Sequence, residues 1–489
     1  MKKVCFLAVL LAVLACSTVM AEVRLSKAFT DNAVLQRDIP VAVWGWADVG
    51  EEIQVLFDGK VAKTTASRSG EWLVKLPAMP ACSEGKELVI ESKDCRIALK
   101  NIVVGEVWIC SGQSNMEMPL CSWGQPRLAC TEEEYNGDYS FIRFNRVGHV
   151  TAKTPQDQFP SAGWQMCKEN VQKNCTACGF HFAVRLHQAL GCPIGLIDTN
   201  WGGSNINSWI PDAGWANLPE TTEMGKKLID TRNAAEKCEY SHAGGMYNAM
   251  LAPWVPYGIR GAIWYQGCSN AGEGGFYYFK QKAMIQEWRK IWGEGDFPFY
   301  WVQLANFKEP NEDPNQKLDW AALRDGQTRC MEVAKTGQAV IIDVGEEQDI
   351  HPRNKFVVGN RLANWALAKD YGKTEVPFAS PLFKELKIEG GKALVTFTNV
   401  GAGLVVGQQN EREFHAVENG ELKRFAVAGA DKKFYWATAK IVAPDTVEIS
   451  CPEVAEPVAV RYAWQMNPFG CNLYNAEGLP ATPFRTDEW

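Results

Sequence analysis

The sequence predicts an α/β protein, with a parallel sheet covered by helices on both faces over residues 105–375 and all-β regions on either side at 22–104 and 376–489. Three observations predict it. Short strands with turn signals fill the first region, strand-like and helix-like runs alternate through the second, and strands return in the third. At 489 residues the chain is too long for one small core, so several domains are expected.

Residues 1–21 stand apart from the fold. Lys2 and Lys3 precede an apolar run at 4–15, and Val19-Met20-Ala21 offers the small residues a signal peptidase reads. A cleaved export signal is expected, and with it a periplasmic or secreted protein; lipidation of Cys16 after Val13-Leu14-Ala15 is the alternative. No later run reaches the ~18 consecutive apolar residues of a membrane span. Removing two lysines and no acids takes the formal net charge from −7 to −9, which argues against nucleic acid and anionic membrane surfaces as partners. Of the sixteen cysteines, Cys5 and Cys16 lie in this segment. Cys82 and Cys95, flanking a short strand pair, are the first candidates for a disulfide. Cys175-x-x-Cys178 lacks a second ligand pair and reads as structural or disulfide-bonded, not as a zinc site.

In the first β region, runs at 41–46, 53–57, 61–66 and 72–76 are separated by Asp58-Gly59 and Ser69-Gly70, which makes a meander with a scaffold role. In the middle region, strand-like runs at 103–110, 194–198, 261–265, 299–304 and 339–343 alternate with helical stretches at 180–190, 277–292, 320–334 and 356–371. Within 277–292, Phe279, Ala283, Met284 and Trp288 share one face, and Lys280, Gln281 and Glu287 fall mostly off it. Parallel sheets of this kind bind ligands beyond the carboxyl ends of their strands. In the last region, runs at 386–389, 393–398, 433–438, 446–450 and 458–464 are strand-like, and the tail 478–489 is expected to fold back on the body.

The polar motifs cluster at those strand ends. The stretch GEVWICSGQSNMEMPL drives an apolar strand forward and then sets Ser114 at its mouth. Asn200-Trp201-Gly202-Gly203-Ser204, Trp264-Tyr265-Gln266-Gly267-Cys268-Ser269-Asn270, Asp343-Val344-Gly345 and Asp349-Ile350-His351-Pro352 follow other strands. Acyl transfer by a serine needs a base, a carboxylate to orient it, and donors for the oxyanion. Of the six histidines, only His351 follows an aspartate by two residues and precedes a proline that stiffens its loop. His181 and His187 lie in a helix, His415 in the C-terminal β region, and His149 and His242 in loops. Gly202 and Gly203 allow close backbone approach to an oxyanion, although a plain β-to-α turn would explain the pair equally well. A lone glutamine such as Gln266 is more often a hydrogen-bonding core residue; it is the ordered set of motifs that carries weight.

GQSNM, NWGGSNINSW, WYQGCSN and DIHPRNK, in that order, resemble the blocks of the sialate O-acetylesterase family within the SGNH-type serine esterases. The likeness extends to DNAVLQRDIPVAVWGWA near the start and NLYNAEGLPATPFRTDEW at the end, covering essentially the whole mature chain. The resemblance implies an SGNH-hydrolase-like three-layer α/β/α domain. It implies Ser114 as nucleophile, His351 as general base and acid, and Asp349 as the orienting carboxylate. The oxyanion hole would comprise the N–H groups of Ser114 and Gly203 with the Gln266 side chain, Asn270 being a rival donor. Two departures stand out. Family members commonly carry the acid three residues before the histidine, where this chain has Gln348, leaving Asp343, Glu347 or a Ser–His dyad as alternatives to Asp349. Relatives usually read WYQGESN, and Cys268 replaces that glutamate.

The implied activity is hydrolysis of O-acetyl groups from glycans, sialic acids first and acetylated plant polysaccharide fragments as the alternative, with no metal or organic cofactor. Trp123, Trp201, Trp209 and Trp320 suit sugar stacking, and Arg324 and Arg353 suit a sialic acid carboxylate; core packing and salt bridges are the plainer roles for both types. A non-catalytic glycan binder on an esterase scaffold is the rival from another class. A lyase or hydrolase with paired carboxylates ranks last, for want of a compact acidic pair. Nothing in the sequence addresses oligomeric state.

Overall fold

The computed structural model describes residues 23–121, 130–316 and 319–489. The expected export signal, Cys16 and Trp123 lie outside these residues. Among the described residues no helix is long and apolar enough to cross a membrane.

The molecule is a mixed α/β structure built on a central, mostly parallel sheet, with separate antiparallel sheets elsewhere in the chain. In spatial order the central strands are Ser161–Cys167, Tyr139–Val147, Ile194–Asn200, Arg96–Gly112, Gly261–Tyr265, Phe299–Val302 and Thr336–Ala339. All pair in parallel except the first, which is an antiparallel edge. The chain moves outward from Arg96–Gly112, returns beside it with Ile194–Asn200, and then crosses to its other side with Gly261–Tyr265. The strand order therefore reverses at the central strand, which is where such sheets open a crevice. Register makes the crevice specific: Gly112 is level with Asn200 on one side and Tyr265 on the other.

Alternation along the strands divides the interior into two cores. Val107, Ile109, Ile197, Trp264 and Trp301 face Met284 and Trp288 of the helix Tyr277–Trp292. Trp108, Cys110, Leu196, Ile263 and Tyr300 face the helices Ala177–Leu190 and Lys355–Lys369. Local signals fix the helix ends. The Thr176 hydroxyl accepts from Gly179 N–H, Asn354 accepts from Val357 N–H, and Gly191 and Gly293 close helices in the left-handed conformation.

Several expectations are corrected. The long strand Arg96–Gly112 runs without a break through the expected boundary at 104/105, pairing first with Cys82–Glu91 and then with the parallel strands. The helix Tyr277–Trp292 is buried almost all round, with Lys280, Gln281 and Glu287 each at 2% exposure or less. Lys280 meets Glu273 and Glu287 accepts from Asn217, so these two are buried with partners and not solvated, whereas the Gln281 amide is buried with no hydrogen-bond partner among the described residues. The strand expected at 339–343 is paired at Thr336–Ala339 instead. The helix Pro219–Ala234, whose weak apolar face buries little beyond Thr221, Gly225 and Arg232, carried no clear periodic signal. Cys82 and Cys95 are free thiols. They sit at opposite ends of one hairpin, separated by a strand of ten residues, or roughly 30 Å.

The C-terminal residues form antiparallel sheets around their own apolar cluster. The tail does fold back: Phe484–Arg485 pairs with Ala459–Tyr462, and Asp487 closes a buried ion pair with Arg461 at 2.6 Å.

Candidate active site

Ser114 is placed by the end of the central strand. A side chain at position 112 would bring Cβ to 2.3 Å from Tyr265 O, and Gly112 has φ +138°, so only glycine lets the chain turn this closely against the neighbouring strand. Gln113 then ties the turn down: its N–H donates to Tyr265 O at 3.0 Å, and its Oε1 accepts from Gly267 N–H at 3.0 Å. Ser114 opens the helix Ser114–Glu117 and is partly exposed. Its N–H, being first in the helix, has no intrahelical acceptor. This helix is a single turn of four residues, so individual N–H groups and not an extended macrodipole supply the positive potential here.

The turn after Asn200 lies alongside. Trp201 N–H donates to Gly112 O, Gly202 N–H to Glu117 Oε2, and Ser204 N–H to Trp201 O. Only the Gly203 N–H in this turn has no acceptor among the described residues. Gly203 is exposed with φ +72°, and an added Cβ would lie 2.7 Å from Tyr240 Oη. Gly202 abuts the nucleophile candidate, since a Cβ there would sit 3.4 Å from Ser114 Cβ. Burial alone would raise the Glu117 carboxyl, but His149, the Gly202 N–H and Arg146 outweigh it and hold the group below its ordinary value.

The third component comes from the loop before the helix Lys355–Lys369. His351 Nε2 lies 2.9 Å from Ser114 Oγ, across 237 positions of sequence. Asp349 Oδ1 accepts from His351 N–H at 2.8 Å and lies 3.2 Å from Nδ1. This is an Asx-type turn: by accepting a backbone N–H two residues on, the carboxylate is folded back toward the ring, which is how a two-residue spacing reaches it. With Nδ1–H directed at Asp349, Nε2 accepts from the Ser114 hydroxyl. Burial lowers the His351 imidazole below its ordinary value; Asp349 pulls it up and Lys355 pushes it further down. Asn115 Nδ2 donates to Ile350 O at 3.0 Å, joining the two loops.

Other expected site residues are elsewhere or otherwise engaged. Gln266 is fully buried, its Nε2 donating to Ser204 O and Asn270 Oδ1 while its Oε1 accepts from Tyr277. Asn270 is likewise buried: Oδ1 accepts from Ile206 N–H and Nδ2 donates to Glu273. Both amides brace the Gly203 turn from below; the two N–H groups of Gln266 are both committed, which removes it as an oxyanion donor, whereas Asn270 Nδ2 spends one N–H on Glu273. Trp209 is fully buried, donating from Nε1 to Ser204 Oγ, and Trp320 is 6% exposed and donates to Ala305 O. Arg324 has no exposure and donates to Leu304 O, Ala305 O, Gln465 O and Met466 O, stapling the C-terminal segment to the helix Asp319–Arg329. Arg353 is engaged by Glu346 at 2.8–3.0 Å. Asp343 is held by Arg361 and Tyr474, which removes it as an alternative acid. Trp201 remains half-buried, with His149 stacked flat on it at 4.3 Å.

Sequence reasoning passed over Glu117, Asn115, Tyr240 and Lys355. The first two lie inside the GQSNME run and Lys355 ends DIHPRNK, so motif membership was the available signal; nothing marks Tyr240.

Residues 104–367 match the model of a carbohydrate esterase family described as sialic acid-specific acetylesterase. The chain is similar to the sialate O-acetylesterase of Homo sapiens, 26% identical over 94% of this chain and 92% of that protein. It is similar to that of Pongo abelii at 27%, over the same shares. A solved carbohydrate acetylesterase from Xanthomonas citri is 36% identical with a TM-score of 0.83, covering 96% of this chain and all of the other. The chain thus belongs to the sialic acid-specific acetylesterase family of carbohydrate esterases.

Proposed function

We propose that this chain is an exported serine esterase that removes O-acetyl groups from glycans by way of an acetyl-enzyme, on an SGNH-type three-layer domain. Ser114 Oγ attacks the acetyl carbonyl while His351 Nε2 takes its proton, and Asp349 stabilises the resulting imidazolium. The N–H groups of Ser114 and Gly203 receive the oxyanion. As the tetrahedral species collapses, His351 returns the proton to the departing sugar oxygen. Water, deprotonated by the same nitrogen, then attacks the acetyl-serine, and as acetate leaves, His351 returns that proton to Ser114 Oγ.

The observation that carries this reading is the 2.9 Å contact between His351 Nε2 and Ser114 Oγ beside a Gly203 N–H with no acceptor among the described residues. Acetate release from p-nitrophenyl acetate and from O-acetylated sialic acid, by the wild type and by Ser114→Ala, tests it. Loss of release in the variant supports the reading, and equal rates in both would favour a glycan binder.

Sialic acids are the substrate class suggested by the names of the mammalian relatives. A second reading, acetylated neutral sugars, is favoured by the engagement of Arg324 with backbone carbonyls and of Arg353 with Glu346, which leaves the two guanidiniums considered for a substrate carboxylate already committed. Comparing kcat/KM on acetylated sialic acid and acetylated xylo-oligosaccharides separates the two.

A further inference from the structure

Lys355 begins the helix that follows the histidine loop and is completely buried. Its Nζ donates to Asn115 Oδ1 at 2.6 Å and to Pro352 O at 2.6 Å. Asn115 directly follows Ser114, and Pro352 directly follows His351. One ammonium thus grips the residue next to each of the two groups in contact. The Asn115 amide closes the circuit from the other side, donating to Ile350 O, one residue before His351. A buried charge is costly unless paired. Here Glu346 and Asp349 act on Lys355 only through space, as do the thiols of Cys178 and Cys268, so no carboxylate is in direct contact with the ammonium. A fold that bears this cost between two loops invites a reason beyond packing.

We propose that Lys355 is a positioning residue that holds the Ser114 and His351 loops at reacting distance through Asn115 and Pro352, and that its positive charge acts on the imidazole. The proposal rests on the reading of Ser114 and His351 as the reacting pair. Lys355 faces Cys178, Cys268, Glu346, Asp349 and, at 5.3 Å, the Tyr265 ring. Burial brings its own pKa down to about 8, so it is an ammonium at neutral pH and below. His351 faces Ser114, Asp349 and Lys355, and the lysine charge lowers the imidazole whereas Asp349 raises it. Removing the charge therefore raises the imidazole pKa and moves the acid limb of the rate profile to higher pH.

Lys355→Met, which keeps the buried stem, is compared with the wild type and Ser114→Ala by p-nitrophenyl acetate kinetics from about pH 5 to 9 and by thermal melting. The expected result is a kcat about 10²-fold lower, a KM changed by less than about threefold, an acid limb moved to higher pH, and a melting temperature near that of the wild type. A variant with wild-type kcat and acid limb, alongside an inactive Ser114→Ala, overturns the clamp and leaves the esterase reading standing. Lost activity with a large drop in melting temperature and an unmoved limb also overturns it, in favour of a structural lysine. An active Ser114→Ala overturns the underlying reading instead. Should Lys355→Met fail to fold, Asn115→Ala decides: a similar fall in kcat with the limb in place supports the clamp, and wild-type kcat overturns it.

Discussion

The Ser114–Gly203 side of the site is locked into the central sheet, whereas the Asp349–His351 side rides on a more open loop. On the first side, Gly112 is pressed against Tyr265, Gln113 is bonded to Gly267, and buried Gln266 and Asn270 brace the Gly203 turn from below. On the second, His351 is 26% exposed and Asp349 45% exposed. On the proposed mechanism, preorganisation is concentrated where charge would develop on the carbonyl oxygen, in N–H groups that need no reorganisation. In that mechanism the carboxylate, partly solvated and screened, serves to orient the imidazole more than to power the reaction.

Variants on the two sides sharpen this contrast. Ser114→Ala should lower kcat most, by at least ~10³-fold, with His351→Ala close behind, in steady-state ester hydrolysis. Next comes Gly203→Ala. It forces a side chain into φ +72° and against Tyr240 Oη, displacing the N–H; a kcat loss of ~10² to 10³ with little change in KM is expected. Asp349→Asn should cost less, about 10-fold, because the carboxylate is partly exposed and 3.2 Å from Nδ1. An Asp349 effect as large as that of Gly203 would break the comparison. The pH profile of kcat/KM should show its acid limb below pH 6.5, the ordinary histidine value, since burial lowers the imidazole and the base must be neutral to act. Finally, Arg324→Met should leave KM unchanged on acidic and neutral acetylated sugars alike while lowering stability by about 2 to 4 kcal/mol in denaturant unfolding, as expected when several buried carbonyls lose their donor.

The sequence made the strand ends legible because an apolar run that stops at Gly112 or Tyr265 and turns polar has few other readings. His351 was legible by its neighbours, Asp349 and Pro352. The amides were not: nothing in the letter Gln266 says whether its hydrogens face a ligand or are spent on Ser204 and Asn270, nor in Asn270 that one of its hydrogens goes to Glu273. Trp209 and Arg324 misled for a related reason, since aromatic rings and guanidiniums serve sugar sites and interiors equally well, and only tertiary placement decides. The continuity of the strand through 104/105 was hidden because one strand serves two neighbourhoods, with its change of partners leaving no turn signal in 96–112. Lys355 was invisible as a buried cation because a lysine at the start of a helix is ordinarily solvated.

Acetyl transfer through Ser114 is tested by rapid quenching of p-nitrophenyl acetate turnover followed by peptide mass mapping. The predicted result is one acetyl group on Ser114, formed and lost at rates that account for turnover and absent from Ser114→Ala. Acetate released at the same rate with Ser114 never acetylated would contradict it.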